Sequence, residues 1–227
     1  MIDRVGIVVP VRDEEERLPR CLDALEVAIA RLTADRGLPV SAVVVLDRCT
    51  DGSRDIAIAR RWVSTTSVEA GGVGVARAAG CAQVVCVHGF QPTRSLWLAS
   101  TDADSEVPAD WLTRQIELAD QGAEVVLGTV TVADWSDQPA GVARRWHASY
   151  DASDGHPHVH GANVGCRADA YLAAGGFLAL SCDEDVALVA ALADRRIVST
   201  GAIPVVTSAR RHSRAQGGFA DYLAQLA

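Results

Sequence analysis

Three apolar runs, the first two rich in β-branched residues, are each followed at once or within a few residues by a carboxylate. Val5–Val9 ends at Pro10 and is followed by Arg12-Asp13-Glu14. Val40–Leu46 ends at Asp47, and Leu96–Thr101 ends at Asp102. Runs of this length and composition read as buried strands. Between them lie helical patterns. Pro19 to about Ala34 carries Leu22, Leu25, Ile29 and Leu32 at helical spacing, with Gly37 and Pro39 as its stop. Asp47–Ser53 is a polar turn leading into a short helix through Arg60, and Val73–Val87 is an alanine-rich helix. Strands alternating with helices predict an α/β fold of three layers, a mostly parallel central sheet with helices on both faces. In such sheets ligands bind beyond the carboxyl ends of the strands, where these carboxylates fall.

The pattern continues with a helix over Pro108–Gln121 and a β-rich segment over Val125–Val132. The second half is less regular. It holds a Gly/His/Pro-rich loop at 155–165, a helix near Arg167–Ala174 stopped by Gly175-Gly176, and a helix from about Glu184 to Asp194. A strand near Ile203–Thr207, an arginine-rich loop and a terminal helix follow. Without repeats or linkers, the expectation is one domain over 1–227, with functional halves of about 1–105 and 106–227.

Composition removes several chemistries. The 227 residues hold 21 basic side chains, all arginine, against 29 acidic ones, for a net charge of −8. A chain without lysine has no P-loop lysine, Schiff-base lysine or lysine nucleophile. Its acidic balance argues against nucleic acid as a partner. The longest apolar run, Val186–Ala193, is far short of a membrane span. The N-terminal stretch lacks signal-peptide architecture. These features predict a cytoplasmic protein with no integral membrane segment. The six cysteines form no CxxC pair and read as reduced, mostly buried thiols.

Several clusters could carry chemistry. In Asp102-Ala103-Asp104, residues i and i+2 at the end of an extended segment would project the same way. Such a pair suits a hard divalent cation whose remaining positions are filled by substrate phosphates. Gly71-Gly72-Val73-Gly74 with Arg77 offers either backbone approaching a nucleotide, with Arg77 free for a phosphate, or simply a glycine-rich helix start. His156, His158 and His160 alternate and could share a face. That reads as a zinc cluster or as a loop carrying one substrate-binding histidine. Asp183-Glu184-Asp185 opens a helix, as a charge cap or as the seat of a general base. Arg210, Arg211, His212 and Arg214 form the densest basic patch, suited to a diphosphate.

Six segments in register resemble family 2 glycosyltransferases of the GT-A fold. IVVPVRDEEERLPRCLDAL is similar to the family's opening motif, VVVLDRCTDGS to its second-strand motif and STDADSEVP to its DxD segment. HGANVGCRADAYLAAGGF is similar to its acceptor-side segment, CDEDVALVAAL to its ED motif, and RRHSRAQGGF stands at its C-terminal basic motif. The likeness runs from about residue 5 to 222. Asp13 stands where the family has asparagine, and Leu46-Asp47 replaces a paired Asp-Asp.

The resemblance implies a GT-A-like, Rossmann-type sandwich that moves a sugar from a nucleoside-diphosphate sugar to an acceptor hydroxyl with inversion. Asp47 would recognise the base, with Pro10, Arg12 and Glu14 in the same pocket. Arg77, Arg211 and Arg214 would lie near the base or diphosphate. Asp102 would contact ribose or metal, and Asp104 with His212 would hold Mn²⁺ or Mg²⁺. Asp185 would be the base; His160, Gly161, Asn163 and Glu184 would form the acceptor side. The acceptor is a small molecule or lipid-linked, and a homodimer is left open. Three alternatives are a sugar-nucleotide-binding module without catalysis, a sugar-nucleotide nucleotidyltransferase and a metal hydrolase on the histidine cluster. The nucleotidyltransferase would need a GGxGTR loop and a phosphate-binding lysine, both absent from this sequence.

Overall fold

A computed structural model describes residues 1–69, 71–89, 93–180, 182–212 and 217–227. A seven-stranded sheet in the order β3-β2-β1-β4-β6-β5-β7 forms its centre. The strands are β1 (Arg4–Val11), β2 (Val40–Asp47), β3 (Val63–Val68), β4 (Leu96–Ser100), β5 (Val125–Thr131), β6 (Val164–Arg167) and β7 (Ile197–Val206). The pairs β3-β2, β2-β1, β1-β4 and β5-β7 are parallel, while β6 runs antiparallel between β4 and β5. The helices are α1 (Leu18–Arg36), α2 (Ser53–Ile58), α3 (Val73–His88), α4 (Trp111–Asp120), α5 (Val142–Ser149), α6 (Ala168–Ala173), α7 (Glu184–Ala191) and α8 (Phe219–Gln225).

Alternation along the strands divides the core in two. Val5, Ile7, Val9 and Val11 of β1 face α1 and α4, packing with Leu22, Leu25, Trp111 and Ile116. Val8, Val43 and Val45 face the other way, against Val84 of α3, Tyr171 of α6 and Leu188 of α7. The α3 layer sits unusually close to the sheet. A Cβ on Gly6 would overlap Val84, and one on Gly80 would overlap Val8. These two glycines therefore set the depth of α3, whose N-terminus opens onto the site. A third cluster joins Val142 and Trp146 of α5 to Leu223 of α8.

The three strand runs read from the sequence are present, and β1 continues through Pro10 to Val11. Pro10 is accommodated because its missing N–H coincides with the end of the ladder, where β1 pairs only as far as Val11 with Leu46. The expected two-carboxylate projection from an extended segment is corrected. The strand stops at Ser100, and the Asp102 backbone carbonyl accepts the Ser105 N–H at 3.1 Å, so the chain is turning. Asp102 and Asp104 consequently face different partners.

Candidate active site

One cavity of about 510 Å³ lies beyond the carboxyl ends of β1, β2 and β4. It collects Pro10, Arg12 and Glu14 from β1 and its loop, Asp47 from β2, and Asp102 and Asp104 from the β4 loop. The far wall comes from the second half of the chain, with Leu180, Thr207, Arg210 and Phe219 among its residues. Parallel strands deliver their C-terminal loops to one edge, which is why residues distant in sequence meet here.

Asp47 is buried, and its Oδ2 accepts the Gly72 N–H at 2.9 Å. Gly71 and Gly72 have φ of +70° and +111°, values that favour glycine, and they bring backbone to the cavity edge. Arg48 lies 3.4 Å and Arg12 3.9 Å from the Asp47 carboxylate. This end of the cavity therefore presents an acceptor flanked by donors.

Asp104 is held in a different way. Arg210 reaches across the cavity to pair with Glu14 and, at 3.2 Å, with Asp104. Burial pushes the Asp104 carboxyl up to about 6; Arg210 opposes this, while the negative charges of Asp102 and Glu14 add to it. In the ligand-free protein an arginine thus fills the cationic position between two carboxylates. Such oxygen donors suit a hard divalent cation completed by phosphate oxygens, and do not suit a protein cage. Among the described residues, the one trio of possible ligands with atoms within 4.8 Å of one another is Asp13, Cys49 and Asp51. Asp104 and His212 belong to no such trio.

Of the five residues expected as base or on the acceptor side, Gly161, Glu184 and Asp185 meet at the start of α7, and none of the five lines the cavity. Asp185 Oδ2 accepts the Gly161 N–H at 2.6 Å, and Oδ1 accepts the Val186 N–H at 2.8 Å. Glu184 is buried beside it, paired with Arg77, and its carboxyl is raised chiefly by burial. Asn163 has both polar side-chain atoms bonded inside the fold. Its Oδ1 accepts Trp111 Nε1–H at 2.8 Å, and its Nδ2 donates to the carbonyls of Thr129 at 2.8 Å and Ile203 at 2.7 Å. Its amide ties α4, β5 and β7 behind the site. His160 Nε2 lies 2.9 Å from the Tyr150 hydroxyl, and burial pulls its pKa down to about 4, so the ring is neutral at pH 7.

The histidine triplet does not converge on a point. His156, His158 and His160 stack as a ladder with centroids 5.6 and 5.8 Å apart, and His158 stacks on Tyr150 at 4.1 Å. They form no metal-ligand trio among the described residues, which removes the footing of the zinc cluster and of a hydrolase built on it. In the basic patch, Arg210 turns into the cavity while Arg211 donates to the Asp137 carbonyl and lines no part of it. His212 is exposed, and Arg214 lies outside the described residues. Arg77 also lines no part of the cavity; it is buried against Asp102 and Glu184. Sequence reading passed over Arg48 and did not single out Arg210 within its patch. The signal for Arg48 was its place beside Asp47 at a strand end.

A mostly parallel sheet with helices on both faces and an acidic cavity at the strand ends defines the GT-A class of α/β folds. It superposes on the crystal structure of Staphylococcus aureus TarS at a TM-score of 0.65, with 15% identity over 98% of this chain and 42% of that one. It also superposes on glucosyl-3-phosphoglycerate synthase from Mycobacterium tuberculosis, solved with Mn²⁺, uridine diphosphate and phosphoglyceric acid, at a TM-score of 0.58. That match has 14% identity over 99% of this chain and 74% of that one. Residues 6–171 match Glycosyl transferase family 2, and the chain belongs to that family. A curated relative, the undecaprenyl-phosphate 4-deoxy-4-formamido-L-arabinose transferase of Pseudomonas fluorescens, is 28% identical over 214 residues. The match covers 92% of this chain but only 58% of that relative's length. Among the described residues, no helix is long and apolar enough to cross a membrane.

Proposed function

We propose that the chain transfers a sugar from a nucleoside-diphosphate sugar to an acceptor hydroxyl, with inversion at the anomeric carbon. The observation that carries this reading is the convergence of Glu14, Asp47, Asp102 and Asp104 from three strand ends on one cavity. Family membership supports it. Asp47, with Arg12, Arg48 and Pro10 around it, takes the base. Asp102 takes the ribose, and the diphosphate lies toward Arg210.

The donor set fits Mn²⁺ or Mg²⁺ held by Asp104, with phosphate oxygens and His212 as further ligands. An ion held by Asp104 would supply positive charge to offset that of the nucleoside diphosphate. Arg210 must leave Asp104 for that to happen, and in leaving becomes free to pair with phosphate. Arg211 and Arg214 would approach the diphosphate only if this loop closes over it.

Asp185 is the base. Backbone N–H groups of Gly161 and Val186 fix its two oxygens, and each oxygen keeps a second lone pair for the acceptor's proton. The acceptor oxygen then attacks the anomeric carbon as the diphosphate leaves, and no enzyme nucleophile is required. Gly161 and Glu184 shape the acceptor side directly, Asn163 frames it from behind, and His160 borders it as a neutral ring. The first half of the chain, about 1–105, serves the donor and the second half the acceptor. The name of the Pseudomonas relative adds a polyprenyl phosphate as a second acceptor to try, one whose ionised phosphate oxygen would attack without a base and so be insensitive to Asp185→Asn.

A thermal-shift screen of nucleoside diphosphates and their sugars, with and without Mn²⁺, tests the reading. A ligand at 100 times its dissociation constant stabilises by about 2.7 kcal/mol. The expected result is a rise with one nucleotide that needs the metal and is lost in Asp104→Ala. No rise with any nucleotide, or a rise indifferent to chelator and to Asp104→Ala, overturns it.

A further inference from the structure

Arg77 touches both sides of the site and opens into neither. It sits in the first turns of α3, and its side chain is 4% exposed. One arm of the guanidinium donates to Asp102, past the end of β4. The other donates to Glu184, the first residue of α7. The Phe177 ring covers it, with its centroid 5.7 Å from Cζ. Burial works against the charge, but Asp102, Glu184 and Asp185 together more than offset it, so the guanidinium stays protonated.

Two glycines make room for this arrangement. A Cβ on Gly161 would overlap the Arg77 guanidinium. Gly161 does not adopt the left-handed φ that favours glycine, so what its missing Cβ provides is room for the guanidinium in this paired position. A Cβ on Gly74, three residues before Arg77, would overlap the Leu178 carbonyl and come within 3.1 Å of Glu184 Cβ. The Gly161 N–H in turn holds Asp185. One planar fork therefore fixes Asp102 at one end, Glu184 at the other, and the backbone that orients Asp185 against its face. A lysine ammonium is a point charge and cannot span the same three groups.

We propose that Arg77 is a positioning residue, a buried brace that keeps the Asp102 loop in register with the Glu184–Asp185 pair, and that it binds no phosphate. The roles given to Asp102 and Asp185 rest on the transfer reading above; the brace itself does not. An arginine buried merely for stability would, when changed, weaken the whole fold evenly. A brace, when changed, loosens Gly161 and the start of α7 more than the rest.

The test uses ¹⁵N-labelled, ligand-free protein, wild type and Arg77→Lys, followed by amide hydrogen exchange and by the Gly161 amide resonance. In Arg77→Lys, Gly161 should exchange at least about tenfold faster relative to the Val44 amide of central strand β2, and its resonance should move. An unmoved Gly161 resonance, or Gly161 and Val44 accelerating by the same factor, overturns the brace. Should Arg77→Lys fail to fold, the double variant Arg77→Met, Glu184→Gln removes both charges together and is held to the same criterion. Once a donor is in hand, the same variants should lower kcat and raise donor KM no further than Asp102→Ala does. A donor KM raised tenfold with kcat kept would instead mark a phosphate contact and overturn the proposal. The exchange readout needs no ligand, so a protein that transfers no sugar still tests the brace, and a failed brace leaves the nucleotide screen unaffected.

Discussion

Asp104→Asn should make the ligand-free protein more stable. The Asp104 side chain is 13% exposed and its carboxyl is lifted from 3.8 to about 6, first by burial and then by Asp102 and Glu14, against the pull of Arg210. Each decade of proton affinity is worth 1.36 kcal/mol, so the ionised carboxylate costs the fold about 3 kcal/mol. The folded protein holds this proton more tightly than the unfolded chain does. Stability therefore falls as pH rises from about 4 to about 6, and the whole cost is present above that window. Asparagine has the same shape and no charge to desolvate. At pH 8 in chelator the variant should gain up to about 3 kcal/mol, roughly 6–12 °C in Tm at about 2–4 °C per kcal/mol for a domain of this size. At pH 4 the gain should shrink to about 0.5 kcal/mol, because the folded carboxyl is then protonated while the unfolded one is only partly ionised. Urea unfolding of both proteins at the two pH values measures it. A variant no more stable than wild type at pH 8, or equally stabilised at both values, refutes the reasoning. The same change should abolish metal-dependent nucleotide binding, tying the lost stability to the site's work.

Other consequences follow from individual contacts. Asp185→Asn should cut turnover by about 10²–10⁴ in steady-state assays, with donor affinity changed less than about tenfold, since the diphosphate contacts remain; wild-type turnover would move the base to a neighbour. Asn163→Ala leaves Trp111 Nε1–H and the carbonyls of Thr129 and Ile203 without partners. At about 1–3 kcal/mol for each orphaned group it should destabilise by about 3 kcal/mol or more in urea unfolding, and a loss under about 1 kcal/mol would show that water replaces the amide. Arg210→Met should bind Mn²⁺ more tightly than wild type in the absence of nucleotide at pH 8, read by the free-ion electron paramagnetic resonance signal; weaker binding would mean that Arg210 does not compete for the ion's place.

The parallel half of the sheet was legible because β1, β2 and β4 are buried on both faces over most of their length and so are mainly apolar. Strand β3, with the sequence VSTTSV, is an edge strand with half-exposed positions, and its serines and threonines hid it. Strand β6 is four residues long. It exists because β4 and β5 leave a gap that an antiparallel segment fills, a tertiary fact with no local period. The sequence pattern also started β7 six residues late, since Ile197–Ala202 alternates poorly where its pairing with β5 shifts register between Gly128 and Val130. Helix α5 buries only Val142 and Trp146. Trp146 stacks on Tyr150 at 4.5 Å and meets Phe219 at 6.5 Å, so distant partners hold the helix more than its own propensity does.

At the site, strand ends announced the acidic edge, but charge alone could not say which arginine serves which carboxylate. Arg77 and Arg210 each bind two acids, and burial separates their uses. Arg77 is enclosed by three segments and a phenylalanine, so exchanging it for an external cation would leave carboxylates stranded away from water. Arg210 is 18% exposed, comes from a loop, and lines the cavity that a ligand would enter. On the transfer reading proposed above, its partners Glu14 and Asp104 would pass to an incoming cation while the guanidinium follows the phosphate. The two arginines thus differ in kind: one is a buried tie between segments of the chain, and the other is a cavity-lining cation that partly offsets two carboxylates.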